Sequence, residues 1–221
     1  GDGGYLFFRE EQQYMCGIVG YVGAQQAAPI LLDGLRRLEY RGYDSAGMAV
    51  CGPEGLRVCK AKGRLQVLAE LTEEGRAMPG TLGVGHTRWA THGEPNDVNA
   101  HPQVSRSGLF AVVHNGIIEN YAVLRERLEK KGYVFRSQTD TEVVAQLLED
   151  CYVASRDLFE AVNDMLSVVE GAYALGIVCR DAPDRLIAVR KDAPLLLGYG
   201  EGENFIASDV TALLPYTRDV V

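Results

Sequence analysis

The sequence has no long hydrophobic run, since none of its apolar stretches approaches the roughly 18 residues that a membrane-spanning helix needs. It also has no basic cluster, and its net charge of −8 argues against a nucleic-acid-binding surface. Internal repeats and low-complexity segments are missing as well. With 47% hydrophobic residues the chain can form a sizeable core. We therefore expect a soluble, cytoplasmic protein whose partners are small molecules or other proteins, with no nucleic acid and no membrane.

The five cysteines form no Cys-x-x-Cys pair and no His/Cys cluster with zinc spacing. Neither a metal site nor a disulfide framework is predicted, and no cofactor is indicated. An odd number of cysteines fits reduced thiols in an intracellular chain. Four of them lie in apolar surroundings and are interpreted as core residues: Cys51, Cys59, Cys151 and Cys179. Cys16 is the cysteine with chemistry beside it.

Cys16 follows a start-like Met15 and opens an apolar, glycine-containing run. If Met15 is removed, the thiol and a free α-amine share one carbon, and an amine with a reference pKa near ~8 can accept the thiol proton. Residues 1–15 lack the basic start and cleavage site of a signal peptide. We interpret them as a tag remnant or propeptide, and residues 16–221 as one domain. An ordinary buried strand cysteine is the open alternative.

Short strands alternate with amphipathic helices along the rest of the chain. Closely spaced strands favour antiparallel sheets, and the helices need a sheet face to cover. A polar stretch over 87–108, between two predicted strands, is long enough to be a functional loop. Helices are predicted over 27–38, 64–74, 121–131 and 159–169, with another opened by the pattern at 139–142, and strands over 16–22, 45–50, 56–60, 81–86, 109–114, 172–179, 186–189, 195–197 and 204–206.

The segment from Arg88 to Gly93 opens this polar stretch and combines several useful side chains. Arginine binds a carboxylate through two parallel hydrogen bonds, Trp89 offers a wall, and glycine permits movement. Thr91 and His92 add hydrogen-bonding groups. A plain surface loop with a partly buried tryptophan is the alternative.

His114, Asn115 and Gly116 follow a predicted strand. The asparagine amide and the glycine N–H could both point at a developing oxyanion. Asn-Gly is also the commonest hairpin signal, so a simple turn is the alternative.

Asp140 lies in a Thr-Asp-Thr-Glu pattern typical of a capping box at a helix start. Its carboxylate could stabilise the helix terminus or hold a ligand ammonium. Together with Arg88 it could bind the two charged ends of an α-amino acid. A histidine base for Cys16 is a further alternative, and the candidates are His86, His92, His101 and His114.

Five motifs in order resemble those of class II glutamine amidotransferases: Cys-Gly-Ile-Val-Gly at 16–20, Leu-Glu-Tyr-Arg-Gly-Tyr-Asp-Ser-Ala-Gly at 38–47, Gly-His-Thr-Arg-Trp-Ala-Thr-His-Gly at 85–93, His-Asn-Gly-Ile-Ile-Glu-Asn at 114–120 and Thr-Asp-Thr-Glu at 139–142. The Arg-Gly-Tyr-Asp-Ser-Ala-Gly form resembles the glucosamine-6-phosphate synthase branch of that family. The resemblance runs from Cys16 to the last residue.

The resemblance implies an α+β fold of the N-terminal-nucleophile hydrolase type, a four-layer αββα sandwich with two antiparallel sheets. It also implies residue roles. Cys16 attacks the glutamine amide, and its α-amine moves the proton. The oxyanion is stabilised by Asn115 and Gly116, the substrate carboxylate by Arg88, and the substrate ammonium by Asp140. A loop that closes over the substrate contains Trp89, Thr91 and His92.

The predicted reaction is hydrolysis of L-glutamine to glutamate and ammonia through a thioester on Cys16. By the same resemblance, the ammonia serves C-terminal sugar-isomerase domains of the same polypeptide, which are absent from this sequence. Those domains convert fructose 6-phosphate to glucosamine 6-phosphate, and the full-length enzyme is expected to be a homodimer. A non-catalytic glutamine-sensing module and an amidase of the same fold with another substrate are the alternatives.

Overall fold

The structure, a computed structural model, describes residues 16–90 and 93–221. Each helix and strand expected from the periodicity is present, with bounds that differ by a few residues. The helices are α1 (Ala27–Arg37), α2 (Leu65–Leu71), α3 (Tyr121–Lys130), α4 (Thr141–Ser155) and α5 (Leu158–Val168). The strands are β1 (Gly17–Val22), β2 (Ser45–Gly52), β3 (Gly55–Lys62), β4 (Leu82–Arg88), β5 (Gln103–Val104), β6 (Phe110–Ile118), β7 (Gly171–Cys179), β8 (Leu186–Lys191), β9 (Leu196–Tyr199), β10 (Asn204–Ala207) and β11 (Asp219–Val220).

The strands form two antiparallel sheets. The larger sheet has seven strands in the order β11-β9-β10-β1-β4-β2-β3, and the smaller has four in the order β5-β6-β7-β8. Strand β4 lies between β1 and β2, with Gly17 opposite Thr87 and Ser45 opposite Arg88. The first residues of β1 and β2 therefore lie beside the last residues of β4, at one end of these three strands.

Three apolar clusters fill the spaces between four layers. Helices α1 and α2 cover the outer face of the larger sheet, where Leu31 and Leu35 are fully buried. The inner faces of the two sheets meet through residues such as Val84 and Val113. Helices α3, α4 and α5 cover the smaller sheet. The predicted αββα sandwich is confirmed, because each amphipathic helix buries its apolar face against a sheet.

Strand β6 is longer than the apolar pattern indicates. It continues past His114 to Ile118, and Asn115 and Gly116 lie opposite Ala174 and Tyr173 of β7. The alternative of an Asn-Gly turn after this strand is therefore wrong. The pairing with β7 outweighs the local turn preference of the Asn-Gly dipeptide.

Within residues 16–90 and 93–221, no helix has both the length and the apolar character needed to cross a membrane. All five cysteines are free thiols. Cys51 and Cys179 are buried, as expected for core residues, whereas Cys59 and Cys151 are only partly buried.

Candidate active site

Cys16 lies immediately before β1, at the edge where β1 and β4 meet. Its partly buried thiol is held by the backbone of Trp89, the residue that follows β4. The Trp89 nitrogen donates to Sγ at 3.2 Å, and Sγ lies 3.6 Å from the Trp89 carbonyl oxygen. The antiparallel pairing of β1 with β4 thus places the thiol beside the Arg-Trp segment.

Burial raises the pKa of the Cys16 thiol above its ordinary value. The Trp89 backbone and the Arg88 charge act in the opposite direction, while the Asp44 carboxylate adds to the increase. The thiol is therefore protonated near neutral pH. A nucleophilic role for Cys16 requires a group that accepts its proton.

Asn115 reaches the same place from the smaller sheet. Its side-chain nitrogen Nδ2 donates to the Cys16 carbonyl oxygen at 2.7 Å. An amide nitrogen has two hydrogens, and the second makes no hydrogen bond to another residue within the described ranges. Gly116, the next residue, is exposed. The Asn115 side-chain N–H donor thus lies beside the nucleophile candidate, and Gly116 follows it directly in sequence.

Arg88 ends β4 and is only 4% exposed. Burial lowers the pKa of its guanidinium, and the charges of Asp44, Cys16 and Asp140 oppose that decrease. Arg88 and Asp140 are therefore close enough to interact electrostatically. Arg88 belongs to the larger sheet, whereas Asp140 precedes α4, which covers the smaller sheet. The structure brings together the two opposite charges that the sequence suggested as an amino-acid clamp.

Asp140 immediately precedes α4, but its side chain makes no capping bond to that helix. Its Oδ2 instead accepts from the Ile118 nitrogen of β6 at 2.9 Å. The cap is Thr139, whose Oγ1 accepts from the Glu142 nitrogen at 3.3 Å. The predicted capping box is only half formed, because the Glu142 carboxylate accepts from backbone nitrogens that include Ser137.

The segment after β4 carries the remaining predicted residues. Trp89 is 39% exposed, and Gly93 has a φ of 81°, a conformation that favours glycine. Thr91 and His92 lie outside the described residues, so their place in a substrate-covering loop stays a prediction.

Three of the four histidines form a buried cluster. His86, His101 and His114 are each at most 5% exposed, and burial lowers the pKa of all three, that of His86 to about 3. Within the described ranges the Cys16 thiol bonds to the Trp89 backbone and to none of these imidazoles. No group of three ligand side chains in the described part of the chain is arranged to hold a metal ion.

The residue patterns assign no role to Asp44, and they offer His86 only as an alternative base for Cys16. Asp44 accepts from the Ala90 nitrogen at 2.7 Å, and its own nitrogen donates to the Arg88 carbonyl at 2.8 Å. It thereby fixes the end of β4 and the residues that hold the thiol. His86 contacts the Asn115 side chain. Both residues lie inside the recognised motifs, and that position was the available signal.

A family profile of the glutamine amidotransferase domain matches residues 86–215, more than half of the chain. The chain belongs to the glutamine amidotransferase domain family. Among curated relatives, a glutamine–fructose-6-phosphate aminotransferase [isomerizing] from Caldanaerobacter subterraneus subsp. tengcongensis is 61% identical over 206 residues, covering 93% of this chain and 33% of the relative. A protein of the same name from Thermus thermophilus is 58% identical, covering 94% and 34%. The chain spans about a third of the length of the curated relatives it matches.

The solved structure of a glutamine phosphoribosylpyrophosphate amidotransferase from B. subtilis has a similar fold, with a TM-score of 0.78 at 28% identity. The match covers 91% of this chain and 44% of that one. The family's fold, the N-terminal-nucleophile hydrolase sandwich, is the one described above.

Proposed function

We propose that this domain hydrolyses the side-chain amide of L-glutamine to glutamate and ammonia through a thioester on Cys16. The observation that carries the proposal is that the Asn115 amide bonds to the Cys16 carbonyl while Arg88 interacts electrostatically with Cys16 and Asp140. These groups supply a nucleophile, an oxyanion donor and two charges that match the ends of an amino acid.

In the acylation step, Cys16 Sγ attacks the amide carbon of glutamine, and the thiol proton passes to a base. The carbonyl oxygen becomes an oxyanion, which accepts from the Asn115 side chain and the Gly116 N–H. Collapse of this intermediate breaks the carbon–nitrogen bond, and the base returns its proton to the leaving ammonia. In the second step, water attacks the thioester, which releases glutamate and restores the thiol.

The base in this proposal is the α-amine of Cys16, freed when residues 1–15 are removed. The domain then consists of residues 16–221. The raised pKa of the thiol makes such a base necessary, and an amine with a reference pKa near ~8 suits the task. Burial lowers the pKa of His86, His101 and His114 and so makes them weak proton acceptors, which supports the amine over an imidazole.

Substrate recognition uses the two buried charges. Arg88 binds the glutamine α-carboxylate, since a guanidinium forms two parallel bonds to a carboxylate. Asp140 binds the α-ammonium, because its Oδ1 retains accepting capacity while Oδ2 accepts from Ile118. Trp89, Thr91 and His92 belong to the loop that closes over the bound amino acid.

The names of the relatives extend the proposal to the longer polypeptide. We infer that C-terminal sugar-isomerase domains receive the ammonia and convert fructose 6-phosphate to glucosamine 6-phosphate, in a homodimeric cytoplasmic enzyme. The resemblance of the Arg-Gly-Tyr-Asp-Ser-Ala-Gly segment to that branch supports this assignment.

The test is glutamate release from L-glutamine by a protein that begins at Cys16. Saturable turnover is expected, together with a single adduct on Cys16 after treatment with an electrophilic glutamine analogue. Cys16→Ala should lose both, whereas Cys59→Ala, at another partly buried thiol, should retain both. Glutamine binding without turnover would indicate a sensing module. Faster turnover of another amide in a substrate panel would indicate a different amidase.

A further inference from the structure

His86 forms a polar link between the two sheets, directly behind Asn115. It lies on β4, opposite Ile18 of β1 and Gly47 of β2, and its side chain is fully buried. Its Nε2 lies 2.9 Å from the His114 carbonyl oxygen and 3.1 Å from Asn115 Oδ1. Both partners belong to β6 of the other sheet.

These contacts determine where the hydrogens lie. A carbonyl oxygen only accepts, so the His114 carbonyl requires His86 Nε2 to carry a hydrogen. The Asn115 atom that faces Nε2 must then be the accepting oxygen. The Cys16 carbonyl, 2.7 Å from the other end of the amide, independently requires the donating nitrogen there. The carbonyl oxygens of His114 and Cys16, which can only accept, therefore require the same orientation of the Asn115 amide, with Oδ1 toward His86 and Nδ2 toward Cys16.

The surroundings of His86 keep its ring neutral. Burial is the main cause that lowers the pKa of His86 to about 3; the charges of His114 and Arg88 act in the same direction, and the hydrogen bonds to Asn115 and the His114 carbonyl oppose them. The His101 ring packs against it with centroids 4.4 Å apart. A neutral ring with its hydrogen on Nε2 cannot exchange donor and acceptor roles with Asn115 over the working pH range.

We propose that His86 is a positioning residue, which holds the Asn115 amide with Nδ2 toward Cys16 and the oxyanion site. The inference rests on the proposed function, because it assigns His86 a task in glutamine hydrolysis. An amide turned by 180° would place Oδ1 against the Cys16 carbonyl and the developing oxyanion, where two accepting oxygens repel. Loss of His86 Nε2–H should therefore impair the transition state more than substrate binding.

The test compares His86→Gln with His86→Asn in a protein that begins at Cys16. A glutamine side-chain nitrogen can occupy the position of imidazole Nε2, whereas that of asparagine reaches only the position of Nδ1. We expect kcat of His86→Asn to fall at least about tenfold, with the roughly 100-fold loss typical of a missing oxyanion donor as a guide. KM should change little, and His86→Gln should stay within about threefold of the wild type. With Asn115→Ala as background, His86→Asn should cause no further loss.

A measurement on the unchanged protein applies even if the variants fold poorly. Long-range ¹H–¹⁵N spectra should show His86 with a pyrrole-type Nε2 and a pyridine-type Nδ1, unchanged between pH 5.5 and 8. A charged ring, or a hydrogen on Nδ1, would overturn the proposal. So would folded His86→Asn protein with wild-type kcat. An inactive wild-type protein would instead reject the proposed function, so the two failures are distinguishable.

Discussion

The Asp140 carboxylate accepts a hydrogen bond from the Ile118 backbone nitrogen at 2.9 Å, and so joins the start of α4 to the end of β6. An aspartate at a helix start usually accepts from its own first turn. Here Thr139 performs that task. Asp140 is 8% exposed and lies within the electrostatic reach of Arg88. Its position therefore fits ligand binding better than helix capping.

Asp140→Asn should weaken glutamine binding far more than it destabilises the fold. Asparagine retains an oxygen for the Ile118 nitrogen but loses the charge that attracts an ammonium. A hydrogen bond to a charged group contributes about 1.5–3 kcal/mol, so KM should rise roughly 10- to 100-fold. Thr139→Ala is the matched control, with a stability loss of about 1 kcal/mol and an unchanged KM. Steady-state kinetics and thermal unfolding measure both, and a lower Tm with unchanged KM for Asp140→Asn would contradict the assignment.

Asn115→Ala should lower kcat by ~100-fold or more with a modest change in KM, because an oxyanion donor acts mainly in the transition state. Asn120→Ala is the control. The Asn120 side chain also bridges two elements, donating to the Val168 carbonyl at 2.7 Å and accepting from the Glu170 nitrogen at 3.0 Å. If the two variants lower kcat equally, Asn115 contributes through structure alone.

Local pattern predicted most of the fold, because the helices bury faces that repeat with helical spacing. Leu31, Leu32 and Leu35 lie on one face of α1 and are fully buried, as their spacing indicates. The Asn115-Gly116 dipeptide shows where local pattern is insufficient. Its turn preference is overridden by pairing with β7, which is distant in sequence.

The contacts in the site depend on which strands are neighbours in the sheets. Local sequence patterns do not predict which distant strands pair. The bond between Asn115 and the Cys16 carbonyl joins residues 99 positions apart. The Asp140 and His86 contacts likewise cross from one packed element to another. The motifs predict candidate site residues, whereas the registers of the two sheets decide what each side chain contacts.

Gly116→Ala should destabilise the domain by about 2–5 kcal/mol. Gly116 has a φ of 108°, and a Cβ there would lie 2.2 Å from the Ala172 carbonyl oxygen. Left-handed strain costs about 1–2 kcal/mol, and a steric clash adds about 1–3 kcal/mol. Gly108 has a φ of 73° with open space around it, so Gly108→Ala should show the strain alone. Urea unfolding measures the loss of unfolding free energy in both variants. Equal losses would show that the contact with the Ala172 carbonyl oxygen is not the cause.

The last prediction concerns the proton acceptor for Cys16, and it compares residues 1–221 with a protein that begins at Cys16. While Met15 is attached, the Cys16 nitrogen is an amide, whose lone pair is delocalised and cannot accept a proton near neutral pH. A general base contributes typically ~100- to 10,000-fold. The longer chain should therefore turn over glutamine at least ~100-fold more slowly. Intact mass and circular dichroism verify that both proteins are whole and folded.

The pH dependence of alkylation and of turnover distinguishes a chain that lacks the base from a chain whose thiol is not reactive. Because burial raises the pKa of Cys16 above its ordinary value of 9.0, the reactive thiolate is scarce at neutral pH. Iodoacetamide alkylation of the longer chain should therefore rise about tenfold per pH unit from pH 7 to beyond pH 9. Turnover by the shorter chain should instead rise as its amine loses a proton near pH ~8 and then level off. If the two chains hydrolyse glutamine equally fast, the amine is not the base. An imidazole must then take that role, although no imidazole among the described residues is hydrogen-bonded to Sγ.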